Sequence, residues 1–211
     1  ALIRNTINAR GCLGTDCVTS CVVSVTGMAL SNLTKTSVTA TISDATGTSW
    51  KYRLAKMDGT VISSGISTTK VLNFTDLTQG TYYTIAVGSS CSAAFASEQL
   101  IFTDADWCGG VLFTDSGGAN ANYGDSQSFS KTIYPVNASD KVKLTFSQFD
   151  VDAGDFMNVY DGPGIGSPRF SNGSQLSGTT IPGPFQATND TRAITVRFIS
   201  NSSSTKAGRK A

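Results

Sequence analysis

Between Cys21 and Thr103 the chain is a succession of short runs of β-branched and aromatic residues, at 22–25, 37–42, 50–54, 71–74, 83–87 and 100–102. The pairs Thr46-Gly47, Asp58-Gly59 and Gln79-Gly80 fall between them as turn signals. Such runs are too short for helices and have the length of strands in a half-buried sheet. The pattern predicts an all-β fold. Composition agrees, because Ser and Thr number 27 each and 14 Asp stand against a single Glu. Asp belongs in turns and cation loops, whereas Glu favours helices. With 211 residues the chain has room for one large or two small domains, each with its own core.

The same composition excludes whole classes of function. There is no His, so Ser-His-Asp triads, Cys-His pairs and HExxH zinc sites are all ruled out. A formal charge of +1 without a basic cluster lacks the positive footprint of a nucleic-acid binder. No stretch approaches the roughly 18 apolar residues of a membrane span. The opening residues, ALIRNTINAR, lack the apolar run of a signal peptide. A secreted chain would have lost its signal or carry it upstream.

Cysteines occur at 12, 17, 21, 91 and 108. Without a CxxC pair or a His they read as disulfide formers in an oxidising, extracytoplasmic compartment. The odd number leaves one thiol free, paired outside this chain, or paired with a residue beyond this sequence. Residues 1–20 read as a cysteine-containing lead-in segment.

Leu77-Thr78-Gln79-Gly80-Thr81-Tyr82-Tyr83-Thr84-Ile85-Ala86-Val87 resembles the LxPGTxYxVxV signature of fibronectin type III domains, with Gln79 where Pro is usual. The resemblance covers residues 21–104. It implies a β-sandwich with Trp50 on the third strand and Tyr83 as the tyrosine corner, its hydroxyl returning to upstream backbone. In such a sandwich the first strand begins at the pole where the sixth ends, which implies a Cys21–Cys91 disulfide. Cys12 and Cys17 would then close a small loop, with Cys108 left over, or one of them would bond Cys108.

From Cys108-Gly109-Gly110 the chain resembles a CUB domain, whose pattern is LTFxxFDxE, DYLxVYDG, LxG and LxVxFxSD. The matching features are Asn122-Tyr123, the strand at 142–146 running into Phe149-Asp150-Val151-Asp152, the segment 155–162, Leu176-Ser177-Gly178, and 194–198 followed by Ser200-Asn201. The resemblance covers residues 108–211 and implies a jelly roll, so the whole chain reads as two tandem antiparallel β-sandwiches joined at residues 104–107. The family's cysteines are missing after Asn122-Tyr123, near Gly154 and at Ser177. Loss of these bridges is common in bacterial CUB-like modules and implies a multidomain surface protein of the kind found in Bacteroidota. The end of the chain, at 206–211, reads as a last strand barely complete or incomplete: either the sequence is a fragment, or an edge is left that another chain or an N-terminal segment could fill.

Calcium-binding CUB domains use a Glu after the FDL segment, the Asp of the DYL segment and an Asp after the penultimate strand. Asp152, Asp155 and Asn201 stand at those positions, with Ser203 as a further oxygen. Two of the three charged ligands remain, and Asp152 is a methylene shorter than Glu, so the resemblance implies weak calcium binding. The alternative is that these are ordinary loop residues. In the family this loop also presents acid to a partner's lysine, which implies Asp152, Asp155 and an exposed ring of Tyr160 or Phe156 as a partner contact. The alternative there is that Phe156 and Val159 face the core. Asp161-Gly162-Pro163-Gly164 is a turn and not a phosphate loop. Sequons fall at Asn32, Asn73, Asn137, Asn172, Asn189 and Asn201. Trp50 and Trp107 read as core and interdomain packing.

The leading expectation is a non-catalytic, extracellular or cell-surface adhesion segment that binds a protein or glycan. No nucleic acid and no membrane span enter it. One alternative is a structural subunit of an extracellular filament or sheath, a homo-oligomer assembled by strand addition or disulfides. The other is the accessory tail of a secreted hydrolase.

Overall fold

The computed structural model describes residues 21–211, so the lead-in segment and the pairing of Cys12 and Cys17 lie outside the described residues. Among these residues every regular element is a strand, and all strand pairing is antiparallel. The first sandwich contains β1 (Val25–Ser31), β2 (Val38–Asp44), β3 (Trp50–Lys56), β4 (Val61–Ser67), β5 (Val71–Phe74), β6 (Tyr82–Ser89) and β7 (Ser97–Phe102). Its sheets are ordered β1-β2-β5 and β4-β3-β6-β7. Alternation places Val38, Ala40 and Ile42 of β2, Leu72 and Phe74 of β5, and Tyr83, Ile85 and Val87 of β6 in one core with Trp50 and Leu54. Thr39, Thr41 and Asn73 face outward between them.

Two hydrogen-bond arrangements and one covalent bond fix this core. The Tyr83 hydroxyl accepts the Thr78 amide at 2.9 Å, the geometry of a tyrosine corner. Cys21 and Cys91 are bonded, with Cα atoms 5.5 Å apart. The buried carboxylate of Asp44 accepts the indole Nε1–H of Trp50 at 2.7 Å, the amides of Gly47 and Thr46 at 2.8 and 2.9 Å, and the Ser24 hydroxyl at 2.9 Å. The Gly47 amide contributes most to holding this carboxyl well below the usual range, followed by Trp50.

The second sandwich contains β8 (Ser128–Ile133), β9 (Lys143–Leu144), β10 (Gln148–Asp150), β11 (Phe156–Asp161), β12 (Phe185–Gln186), β13 (Ile194–Ile199) and β14 (Gly208–Lys210). The sheet β11-β13-β8 faces the short pairs β10-β14 and β12-β9. Met157, Val159, Ile194, Val196 and Phe198 point from the long sheet onto Phe146, Phe149 and Phe185.

The end of the chain differs from the sequence expectation. Gly-Arg-Lys forms β14, paired with β10 from Gln148↔Lys210 to Asp150↔Gly208. On its other side Thr114 bridges Lys210, and Phe113 and Ala211 exchange both backbone hydrogen bonds. The last strand is therefore enclosed on both edges and offers no vacant side to another chain. Gly208 has φ +70°, and a Cβ there would collide with the Asp115 carboxylate, so the strand can enter only through glycine.

The two sandwiches share apolar contacts. Successive side chains of a strand face opposite ways. Tyr83 and Ile101 thus enter the first core, whereas Tyr82 and Phe102 enter the second. Tyr82 stacks on Phe102 at 4.1 Å and meets Phe129 edge-on at 5.2 Å. Phe102 also meets Phe113 at 5.8 Å and Trp107 at 5.6 Å. The Tyr82 hydroxyl donates to the Thr114 carbonyl at 3.0 Å, and Lys131 pairs with Asp104 at 3.3 Å. Arg209 completes this cluster, fully buried with its guanidinium 5.0, 5.2 and 6.0 Å from the rings of Phe113, Phe198 and Phe129.

Two stability predictions follow from these contacts. Reduction of Cys21–Cys91, which closes 70 residues, lowers stability by about 4 kcal/mol on the loop-entropy account, read from urea transitions with and without reductant. Arg209→Ala leaves a hole among three phenylalanines and costs about 2–5 kcal/mol in the same titration.

Candidate functional site

The loop between β10 and β11 turns at Gly154, whose lack of a side chain allows its neighbours to close in. A Cβ there would meet the Asn201 amide nitrogen, and would lie 3.7 Å from Asp152 Oδ2. Asp152, Asp155 and Asn201 thus converge, the first two from this loop and the third from the end of β13. Ser203 joins them, donating its amide and hydroxyl to Asn201 Oδ1 at 2.8 and 3.2 Å.

The organising group is one to which the sequence reading gave no role. Tyr123, fully buried, donates its hydroxyl to Asp155 Oδ2 at 2.6 Å and accepts the Asp152 amide at 3.0 Å. Burial, aided by the hydrogen bond to Asp155, pushes the phenol well above its ordinary range and keeps it a donor. Asp155 Oδ1 accepts the Asn201 amide at 2.8 Å. Asp155 is nine-tenths or more buried, whereas Asp152 is partly open to solvent and accepts the Gly154 amide at 3.1 Å. The signal that could have exposed Tyr123 is the Asn122-Tyr123 motif itself, because a buried tyrosine hydroxyl requires a polar partner.

Tyr160 does not belong to this cluster. Its ring is 8% exposed, and it lies five residues along β11 from Asp155, about 16 Å at strand rise. The strand is covered on its free side by the segment 169–178, which bridges Tyr160↔Arg169 and Met157↔Leu176. A partner-contact role for an exposed Tyr160 is therefore corrected. Met157 and Val159 are the core-facing residues, and Asn158 on the opposite face accepts the Gln175 amide at 2.7 Å.

A second concavity, a shallow cleft of about 250 Å³, lies where the sandwiches meet, lined by Lys56, Asp58, Gly80, Tyr82, Thr114 and Ser116. The Ser116 hydroxyl is committed to Gln127 at 2.6 Å. Nearby Asp115 is buried, which raises its pKa, while the Arg209 charge opposes the rise. Its Oδ atoms accept the amides of Gly117 and Arg209 at 2.9 and 2.6 Å. Cys108 is exposed and unbonded among the described residues, and no helix there is long and apolar enough to cross a membrane.

No family model and no curated protein matches the chain. Among solved structures, the FN5 domain of Drosophila Lar is 15% identical over 37% of this chain and 91% of that one, with a TM-score of 0.29. Chitinase ChiA74 from Bacillus thuringiensis is 15% identical over 90% of this chain and 29% of that one, with a TM-score of 0.31. The chain thus spans under a third of the chitinase's length. At these scores neither likeness carries an argument, and the fold assignment stands on strand order and core alternation.

Proposed function

We propose that this chain is a non-catalytic, extracellular interaction segment of a surface or secreted protein, a fibronectin type III-like sandwich followed by a CUB-like one. The observation that carries the reading is the loop cluster at Gly154, where Asp152, Asp155, Asn201 and Ser203 gather on a buried tyrosine. The Cys21–Cys91 bond favours an oxidising compartment. Chemistry at the cluster is limited to binding, because its groups are hydrogen-bonded carboxylates, an amide and hydroxyls with no imidazole in the sequence to move protons near neutrality.

The donor set is of the hard-oxygen type that calcium takes. Its arrangement fits a weak site: both Asp155 oxygens already accept protein hydrogen bonds, and Asn201 turns its nitrogen to Gly154 while Ser203 occupies its oxygen. Asp152 has the most accessible carboxylate and would be the first ligand to meet a cation or a partner's lysine.

At a dissociation constant of about 1 mM, 10 mM calcium stabilises the fold by about 1.4 kcal/mol. A thermal-shift series therefore shows a small calcium-dependent rise that Asp152→Ala abolishes, with the calcium-free melting temperature lowered only by the loss of the exposed Gly154 amide bond. No rise with wild-type protein overturns the calcium reading. Asp155→Ala destabilises by about 2–4 kcal/mol with or without calcium, because the Tyr123 hydroxyl and Asn201 amide both lose their acceptor.

A further inference from the structure

Residues 123–127 touch the loop cluster on one side and the wall of the cleft between the sandwiches on the other. Toward the cluster, the Tyr123 hydroxyl donates to Asp155 at 2.6 Å and accepts the Asp152 amide at 3.0 Å, and the Ser126 amide donates to the Asn201 carbonyl. Asn201 is itself tied to Asp155 through its own amide at 2.8 Å. Its neighbour Ser200 binds the same segment three times. The Ser200 hydroxyl donates to the Gly124 carbonyl at 2.8 Å and accepts the Gln127 amide at 2.9 Å, and the Ser200 amide donates to the Gln127 carbonyl at 2.9 Å. Toward the cleft, Gln127 Oε1 accepts the Ser116 hydroxyl at 2.6 Å, and that hydroxyl oxygen accepts the Gly124 amide at 3.0 Å. Ser116, Gly117 and Gly118 form one wall of the cleft, and Gly80 and Tyr82 of the first sandwich belong to the other.

This segment belongs to no strand, so its path is set by these bonds. Ser116 and Ser200 are each 6% exposed, and a hydrogen bond lost at either is not replaced freely by water. Ser126 stands at φ +53°, a conformation that a residue with a side chain keeps only where its surroundings hold it, and the Asn201 carbonyl is its holder. Two arrangements are therefore available, with Ser126 held left-handed by Asn201, or relaxed once that carbonyl moves. We infer that residues 123–127 couple the loop cluster to the interdomain cleft, so that a cation or partner that displaces Asp155 or Asn201 loosens Ser116 and the cleft wall. The coupling is reciprocal, and whatever fills the cleft acts back on the cluster by the same free energy. A contiguous chain of bonds is the physical basis of such coupling, and its demonstration is energetic. The inference rests on the proposed binding role only for the identity of what displaces these groups.

The test is urea unfolding of the full chain carrying Asp155→Asn, Ser116→Ala or both. The expected result is that the double variant shifts the unfolding equilibrium by less than the product of the two single shifts, by about threefold or more, and that Gln127→Ala in every member shrinks this discrepancy. Asp155→Asn combined with Lys131→Ala, at a junction residue that pairs with Asp104 and lies off the segment, gives shifts that simply multiply. Hydrogen exchange supplies a second readout. In Asp155→Asn the amides of Gly117 and Gly124, which donate to Asp115 and Ser116, exchange several-fold faster while those at 25–31 keep their rates. Tyr123→Phe removes the same hold on Asp155 with little change of shape, and replaces Asp155→Asn in both measurements should that variant not fold. Multiplying shifts for the Asp155 and Ser116 pair, an equal discrepancy for the Lys131 pair, or unchanged exchange at Gly117 each overturns the inference. No ligand enters these measurements, so a failure to bind calcium defeats the calcium reading alone, whereas multiplying shifts defeat the coupling whatever calcium does.

Discussion

The structure depends on a property of β-strands, that neighbouring side chains point to opposite faces. At Tyr82-Tyr83 and Ile101-Phe102 adjacent residues are both large and apolar, so the same two strands must be covered on both sides. The inner face is covered by the other sheet of its own sandwich and the outer face by the second sandwich. Burying a side chain of this size contributes about 1.5–3 kcal/mol. Tyr82 and Phe102 thus give the junction a strength that the Lys131–Asp104 pair, with its half-exposed aspartate, would not provide alone.

Arg209 extends the same logic from packing into electrostatics. Its cation lies against three aromatic faces, and its guanidinium nitrogens have no hydrogen-bond acceptor among the described residues. The ring quadrupoles stabilise it in place of water. The backbone of the same residue holds the Asp115 carboxylate, which itself is disfavoured by burial. Strand closure, the aromatic junction and the local charge balance therefore meet in Arg209.

What the sequence made legible follows the strength of each local signal. Strands rich in β-branched, aromatic and other apolar residues, such as β2, β3, β5 and β6, announce themselves by composition and alternation. The strand β4 does not, because four of its seven residues are Ser or Gly and its pattern is that of an exposed edge. Gly-Arg-Lys at β14 reads as a last strand barely complete or incomplete, and its closure on both edges comes from tertiary contacts with β10 and with residues 113–114. At the candidate site Asp152 and Asn201 lie around the Gly154 turn and Asp155 is tied to Asn201 through the backbone amide, whereas Tyr160 was misplaced because β11 is covered where an edge strand would be bare. Tyr123 was visible as a motif residue, but its role depends on meeting Asp152 and Asp155 across 29 and 32 residues of chain.

If the junction makes the two sandwiches one cooperative body, the loop cluster at Gly154 is held in a fixed relation to the first sandwich. Differential scanning calorimetry of the oxidised chain at low concentration tests this most directly. The account predicts a single transition whose van't Hoff and calorimetric enthalpies agree. Two resolved transitions, or a van't Hoff enthalpy near half the calorimetric one, would contradict it.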